Sequence, residues 1–268
     1  MRLPDYHTHT ARCGHARGTP ADYVAAARAA GLLAIGVADH IPLLPECDPE
    51  LSMEACELGD YVAEVQELKT AHPGFVLLGI EADYRPGTIG EVGAMLAGTP
   101  FDYVIGSVHH LGDWGFDDPR QVDRYENADI DQMWVDYFEL VGAAAETGLF
   151  TILGHLDLVK KFGYRATRPL DAELDRLLGR IAEAGVAVEI NTAGLHKPVG
   201  EAYPSPEILA KLRAAGIPLT FGSDAHRPEE VGRDFAHAAA LARGAGYDSF
   251  AALTADANGR ARLTAAPL

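Results

Sequence analysis

Short apolar runs recur along the chain, and most of them end directly at a histidine or an acidic residue. A continuous apolar run of this length is typical of a parallel strand that is buried on both faces. Segments with helical spacing lie between the runs, so strands and helices alternate. Alternation of this kind predicts a parallel sheet with right-handed crossover connections.

Seven strand–helix units can be counted, and no change in composition marks a linker between domains. The chain has 268 residues, a length that suits one large α/β domain. Polar side chains at the strand ends favour a barrel over an open sheet, because closure brings all the ends to one rim. The sequence therefore predicts a single-domain α/β fold, an irregular parallel barrel over residues 1–268.

The charge balance limits the partners of the chain. It has 39 acidic residues against 22 basic ones, a formal net charge of −17. Nucleic acids and anionic membranes are bound through basic patches, so neither is an expected partner.

Three cysteines are too few and odd in number for a disulfide framework. No apolar run reaches the roughly 18 residues of a membrane span, and no signal peptide is recognised, so we expect a cytoplasmic protein.

Two pairs of residues have the spacing of ligands on one strand face. His7 and His9 are two residues apart, as are Asp224 and His226. Residues two apart in a strand point to the same side, and imidazole is the commonest metal ligand among side chains. Glu81 closes the third strand, where a buried carboxylate without a cation would be costly. The sequence therefore predicts a metal site at the rim, with nine candidate ligands: His7, His9, His15, His40, Glu81, His109, His155, Asp224 and His226.

Two other residues lie beside these candidates. Cys13 is an alternative soft ligand, although nearby His15 is the preferred one. Asp39 precedes His40 and should point the opposite way, so we expect it to accept a hydrogen bond from a ligand histidine.

The candidate ligands resemble those of the polymerase-and-histidinol-phosphatase (PHP) superfamily along nearly the whole chain. More closely, four segments are similar to the stand-alone histidinol-phosphate phosphatases of that superfamily: Cys13-Gly14-His15 and residues 154–162, 191–195 and 222–228. The resemblance implies a distorted (β/α)7 barrel that holds three divalent ions, either zinc, iron or manganese. The implied ligands are His7, His9, Glu81 and Asp224 for the first ion, Glu81, His109 and His155 for the second, and His15, His40 and His226 for the third.

The resemblance also implies the reaction, which is hydrolysis of histidinol phosphate in histidine biosynthesis by a hydroxide held between two metals. Glu81, Asp224 and His226 are the expected catalytic residues, with Asp224 orienting the nucleophile. Lys160, Lys197 and Arg227 are expected to contact phosphate or substrate, and Asn191 a polar group of the substrate. These phosphatases often have arginine where this chain has Lys160, Lys161 and Lys197.

Other functions stay open at this point. A PHP-type phosphoesterase that acts on nucleotides or other small phosphomonoesters would share the metal ligands. A metal-dependent amidohydrolase also uses a His-x-His strand, but Asp224-Ala225-His226 and a bridging Glu81 weigh against it. We expect a small phosphomonoester as partner, and a homo-oligomer is possible.

Substrate choice is expected to depend on loops above the rim, chiefly residues 41–52, a candidate lid. Acidic residues predicted near the mouth favour cationic histidinol over an adenine nucleotide. They are Glu46, Asp48, Asp83 and Asp157.

Overall fold

The computed structural model describes residues 2–45, 47–255 and 261–268. Within these ranges the helices are α1 (Pro20–Ala29), α2 (Leu58–Ala71), α3 (Ile89–Ala97), α4 (Ile130–Glu146), α5 (Asp171–Ala184), α6 (Pro206–Ala214) and α7 (Phe235–Gly244). The strands are β1 (Ile35–Val37), β2 (Val76–Leu78), β3 (Glu81–Asp83), β4 (Ile105–Ser107), β5 (His110–Leu111), β6 (Trp114–Gly115), β7 (Ile152–Leu153), β8 (Ala187–Asn191), β9 (Leu219–Gly222), β10 (Ser249–Ala255) and β11 (Ala261–Pro267).

The main sheet has five strands in the order β3-β4-β7-β8-β9, and each neighbouring pair is parallel. A second parallel pair, β1 and β2, lies before it in the chain. Helices connect most of the parallel strands, as expected for crossover units. The predicted α/β class with parallel strands is therefore confirmed.

The N-terminal segment lies between the two ends of this arrangement. The predicted first strand forms isolated bridges rather than a regular ladder, one from Asp5 to Ile35 and one from Thr8 to Ala225. On one side the Asp5 N–H donates to the carbonyl of Ala34 at 3.0 Å. On the other side the Tyr6 N–H donates to Phe221 at 3.1 Å. The segment that carries His7 and His9 is thus held from both sides by backbone hydrogen bonds.

One tyrosine ring packs between the N-terminal segment, β1 and the end of β2. The Tyr103 hydroxyl donates to the carbonyl of Tyr6 at 2.5 Å. A Cβ added at Gly36 or Gly79 would overlap the Tyr103 ring, so these two glycines leave the space that the ring occupies. The hairpin of β10 and β11 covers this cluster, where Leu253 packs among the same residues.

Local sequence accounts for several helix starts. Thr19 caps α1 by accepting from the N–H of Asp22, whose carboxylate accepts from Thr19 in return, and Pro20 occupies the first turn. Ser205 caps α6 by accepting from the N–H of Ile208, again with proline in the first turn.

The spacing of apolar residues predicts helices over residues 229–243 and 53–71, and both begin later in the structure. The first begins at Phe235, because residues 228–230 form a 3-10 helix and Gly232 has a φ of +69°. The second begins at Leu58. Among the described residues, no helix is both long and apolar enough to span a membrane.

Candidate metal centre

The structure brings the nine candidate ligands together where the parallel strands end. Four groups of three candidates have ligand atoms that lie within 4.8 Å of one another: His7, His9 and Asp224; His7, Glu81 and His155; His9, His40 and Glu81; and His15, His40 and His226. A fifth such group contains Cys13, the alternative ligand, with His9 and His226. His109 joins them through its Nε2, which is 3.3 Å from the Nε2 of His155.

Glu81 lies at the centre of this cluster, with only 1% of its surface exposed. Five imidazole nitrogens lie within 3.6 Å of its carboxylate: His40 at 2.9 Å, His155 at 3.1 Å, His7 at 3.3 Å, His9 at 3.4 Å and His109 at 3.6 Å. His7, His9 and His40 face one oxygen, and His155 and His109 face the other. This placement suits a carboxylate that is shared between two cations.

His15 and His226 form the outer part of the cluster. Their Nε2 atoms are 2.9 Å apart. The Nδ1 of His15 lies 2.9 Å from the carbonyls of Cys13 and Glu50, and the Nδ1 of His226 lies 2.9 Å from the carbonyl of Asp224. Because carbonyls accept from Nδ1–H, each ring keeps the lone pair of Nε2 for a ligand.

Burial and mutual repulsion favour neutral imidazoles in part of this cluster. Burial, with the imidazole of His15 close by, lowers the pKa of His226 to about 4 despite the carboxylate of Asp224. Burial and neighbouring imidazoles also lower the pKa of His9 and His15. The neutral form is the one that binds a metal ion.

The buried carboxylates of the cluster favour positive charge on the neighbouring imidazoles of His7 and His109. Burial alone would raise the pKa of Glu81 and of Asp224, but the surrounding histidines outweigh it and lower both. Burial likewise opposes protonation of His7 and His109, yet neighbouring carboxylates raise the pKa of His7 and bring that of His109 to about 10. The carboxylates therefore stay ionised and stabilise a nearby cation.

Several buried polar atoms in the cluster have no hydrogen-bond partner among the described residues. They are Nε2 of His7, both ring nitrogens of His9, Nδ1 of His155 and Oε2 of Glu81. Unsatisfied buried polar groups are costly and call for an explanation. A set of imidazole nitrogens and carboxylate oxygens fits divalent ions of the zinc, iron or manganese type.

Two candidate ligands have unusual backbone conformations. His155 has a φ of +20° and Asp224 a φ of +53°, and each lies two residues after the last residue of a sheet strand. Positive φ is uncommon for residues other than glycine, and strain of this kind clusters at functional sites. It turns these two side chains as the strands end.

Buried acidic residues hold the candidate ligands from behind. Asp83 lies 3.3 Å from Nδ1 of His109 and 2.9 Å from Nδ1 of His110. Glu189 lies 2.9 Å from Nδ1 of His7. The predicted role of Asp39 is wrong, because its carboxylate accepts from the N–H and hydroxyl of Thr10 instead. Sequence reasoning missed Glu189, whose only signal is a charged residue inside the apolar run of β8.

A cavity of about 700 Å³ opens beside the cluster. It is lined by the candidate ligands His15, His40, Glu81, His109, His155, Asp224 and His226. Five cationic side chains lie in its wall: Arg120, Lys161, Lys197, Arg227 and Arg233. Ile41, Leu43, Glu50 and Leu51 contribute to the same wall, so the predicted lid segment borders the cavity.

Two of the four predicted substrate contacts line this cavity, Lys197 and Arg227. The other two do not. Lys160 is fully buried, with its ammonium 2.6 Å from Glu201 and 2.8 Å from Asp157. The 3-10 helix Leu158–Lys160 turns neighbouring side chains in different directions, and Lys161 lines the cavity instead.

Asn191 is also buried outside the cavity wall. Its Nδ2 donates to Glu189 at 2.9 Å and to Asp224 at 3.3 Å. It therefore contacts a candidate ligand rather than open space.

The predicted acidic mouth is only partly present. Asp157 is buried beneath Lys160, whereas Asp83 lines the cavity, with its carboxylate close to His109 and His110. Asp48 lies 3.0 Å from Arg120. Glu46 lies outside the described residues.

The chain is similar to known proteins along most of its length. The PHP domain model matches residues 5–193, and the PHP-associated model matches residues 209–237. A probable histidinol-phosphatase of Deinococcus radiodurans is 46% identical over 238 residues, which are 88% of this chain and 91% of that protein. The histidinol-phosphatase of Bacillus subtilis is 29% identical over 91% of this chain and 100% of its own.

A solved structure has the same fold. It is the histidinol phosphate phosphatase of Lactococcus lactis, complexed with zinc, L-histidinol and phosphate. It matches with a TM-score of 0.79 and 25% identity, over 93% of this chain and 96% of that one.

Proposed function

The chain belongs to the PHP domain family, and on that premise we propose that it is a metal-dependent phosphatase that hydrolyses histidinol phosphate to histidinol and phosphate. The observation that carries the proposal is the Glu81-centred cluster of imidazoles and carboxylates, which borders a cavity with cations in its wall. The Deinococcus and Bacillus relatives, and the Lactococcus complex, support this substrate.

We propose that residues 1–268 form one PHP-type domain and that its sheet closes into a distorted (β/α)7 barrel. The backbone hydrogen bonds of Asp5 with Ala34 and of Tyr6 with Phe221 support closure, because they join the N-terminal segment to both flanking strands. Closure would bring the strand ends that carry the ligands to one rim.

We propose three divalent ions per chain. His7, His9, Glu81 and Asp224 would hold the first, Glu81 with His109 and His155 the second, and His15, His40 and His226 the third. The unpartnered buried atoms support this assignment, as do two of the ligand groups, His7 with His9 and Asp224, and His15 with His40 and His226. When bound, such ions supply positive charge for the phosphoryl group and acidify a bound water.

The side chains of the chain itself would bind and orient the ester. Lys161, Lys197 and Arg227 place positive charge in the cavity wall for the phosphate. Asp224 has a carboxylate oxygen 3.2 Å from Nε2 of His9, and it can accept a hydrogen bond from an attacking water. Acidic Glu50 and Asp118, which also line the cavity, would attract the cationic end of histidinol.

A substrate screen tests this proposal. The metal-loaded protein is assayed on histidinol phosphate, adenosine monophosphate and p-nitrophenyl phosphate. We expect kcat/KM for histidinol phosphate to exceed the others by about tenfold or more, or roughly 1.4 kcal/mol of transition-state preference. Glu81→Gln, purified in the same way, should lose the activity and thereby assigns it to this site.

Equal values for adenosine monophosphate would move the assignment to a general PHP-type phosphoesterase. Hydrolysis of amide or lactone substrates with no phosphatase activity would support the amidohydrolase alternative instead.

A further inference from the structure

Glu189 lies beneath the candidate metal centre, in the middle of β8, with 1% of its surface exposed. Both of its oxygens are 2.9 Å from Nδ1 of His7. One of them also accepts from the N–H of His155 and from Nδ2 of Asn191, each at 2.9 Å. A single carboxylate therefore receives donors from the N-terminal segment, from the residues after β7 and from its own strand.

The neighbouring strand β9 leaves space for this carboxylate. A Cβ added at Gly222 would overlap Oε2 of Glu189 and would lie 2.6 Å from Cβ of His7. The glycine at this position of β9 therefore allows the glutamate to reach His7.

The contacts have a direct consequence for the imidazole of His7. A carboxylate that faces Nδ1 accepts a hydrogen bond from Nδ1–H, so in the neutral ring the proton lies on Nδ1 and the lone pair on Nε2. Nε2 is the atom that lies 3.3 Å from Glu81 and 3.8 Å from Asp224. It has no hydrogen-bond partner among the described residues, as expected for an atom that binds a metal ion.

Glu189 is linked to Asp224 through the side-chain amide of Asn191. Nδ2 of Asn191 donates to Glu189 at 2.9 Å and contacts Oδ2 of Asp224 at 3.3 Å. The other oxygen of Asp224 faces His9 at 3.2 Å. Glu189 thus has a direct link to one candidate ligand of the first ion and an indirect link to another.

We propose that Glu189 is a positioning residue that sets the orientation and tautomer of His7 and, through Asn191, orients Asp224, so that both present ligand atoms to one metal ion. The inference rests on the proposed metal-dependent function but not on the identity of the substrate. Glu189 itself does not contact the substrate cavity.

Glutamine at this position tests the proposal, because it has nearly the same shape but only one oxygen. Three N–H donors converge on Glu189, so at least one would lose its acceptor. An amide N–H that faced Nδ1 of His7 would also favour the tautomer that carries the proton on Nε2. For Glu189→Gln we expect zinc affinity at one site to fall by about 10- to 100-fold, the usual effect of losing such a partner. The other sites should stay loaded.

The measurement is a zinc titration against a chromophoric chelator, with elemental analysis of the purified protein. Glu183→Gln, at an exposed position of α5, is the matched control and should bind zinc like the unchanged chain. In a His7→Ala background, the effect of Glu189→Gln on zinc affinity should shrink to the part that acts through Asn191 and Asp224. A full second loss there would contradict action through His7.

Two further readouts distinguish positioning from a purely structural role. Zinc should raise the melting temperature of Glu189→Gln by less than it raises that of the unchanged chain, so the variant loses more stability with zinc than without it. An equal loss of stability with and without zinc would overturn the proposal, as would unchanged zinc affinity.

If the variant does not fold, ¹⁵N NMR of the zinc-loaded unchanged chain decides, because His7 must then carry its proton on Nδ1. A chain that binds zinc normally but ignores histidinol phosphate would contradict the proposed substrate and leave this inference intact.

Discussion

Two neighbouring lysines have opposite surroundings in this structure. Lys160 is fully buried between Asp157 and Glu201, while Lys161 lines the cavity and lies 3.0 Å from the carboxylate of Asp117. Removal of one partner from a buried ion pair leaves an uncompensated charge, which is strongly destabilising. A cation in the cavity wall is instead available to a phosphate. The two residues should therefore affect different properties.

We expect Lys160→Ala to lower the free energy of unfolding by about 3–5 kcal/mol, because Asp157 stays buried without its cation. Lys161→Ala should leave the free energy of unfolding nearly unchanged but reduce kcat/KM for histidinol phosphate at least about tenfold, the cost of one charge-assisted hydrogen bond. Denaturant titration and steady-state kinetics on both variants measure this. Full activity of Lys161→Ala would remove it from the proposed phosphate site.

One arginine joins the predicted lid segment, residues 41–52, to the 3-10 helix Pro119–Asn127. Arg120 lies 2.6 Å from Glu50, 3.0 Å from Asp48 and 2.8 Å from Asp118. The carbonyl of Glu50 also lies 2.9 Å from Nδ1 of His15. The segment is therefore coupled to a proposed metal ligand as well as to the cavity wall.

Arg120→Ala should loosen this segment and so the support of His15. Each exposed ion pair contributes at most about 1 kcal/mol, so we expect kcat/KM to fall by about three- to tenfold, with a smaller difference at high salt. Arg124 lies in the same 3-10 helix and forms an exposed ion pair with Asp113, so Arg124→Ala is the control. Steady-state rates at two ionic strengths give the comparison. Equal losses in the two variants would argue against a specific role for the lid contact.

The chain carries a large negative net charge, and its candidate metal centre has ligands that suit cations. The formal net charge is −17, yet a cluster of nine candidate ligands lies where the strands end. Bound divalent ions would reverse the sign of the local field, which allows an acidic protein to attract a phosphate ester. The ions would also stabilise the fold, because an unfolded chain cannot present the same ligands.

Removal of the ions should therefore destabilise the protein. We expect elemental analysis to count three divalent ions per chain and chelation to lower the melting temperature by roughly 5–10 °C or more. A site loaded at 100 times its dissociation constant contributes about 2.7 kcal/mol, and each kcal/mol shifts the melting temperature of a large domain by about 2–4 °C. Calorimetry before and after chelation, with zinc added back, tests this. Full activity with one ion per chain would contradict the three-ion proposal.

Much of the architecture could be predicted from the sequence alone. The α/β class follows from the alternation of apolar runs with helical segments, which is a local property of the chain. The grouping of distant residues such as His155 and His226 also follows, because parallel strands end at one side of a sheet and each of these residues lies shortly after such an end. Glu81 joins the same group but is the first residue of β3 rather than the end of the predicted third strand. Helix ends were less predictable, as the late start of α7 after Gly232 illustrates.

Only the tertiary structure decided which side chains meet away from the strand ends. Glu189 and His7 are 182 positions apart, and no local pattern links them. The choice between Lys160 and Lys161 depends on how a short 3-10 turn directs its side chains, and Asn191 faces Glu189 rather than the cavity. Strand periodicity is set by neighbouring residues, whereas these hydrogen bonds and ion pairs depend on how separate segments pack, which is why the sequence determined the fold class and the candidate ligands but not the residues that hold them.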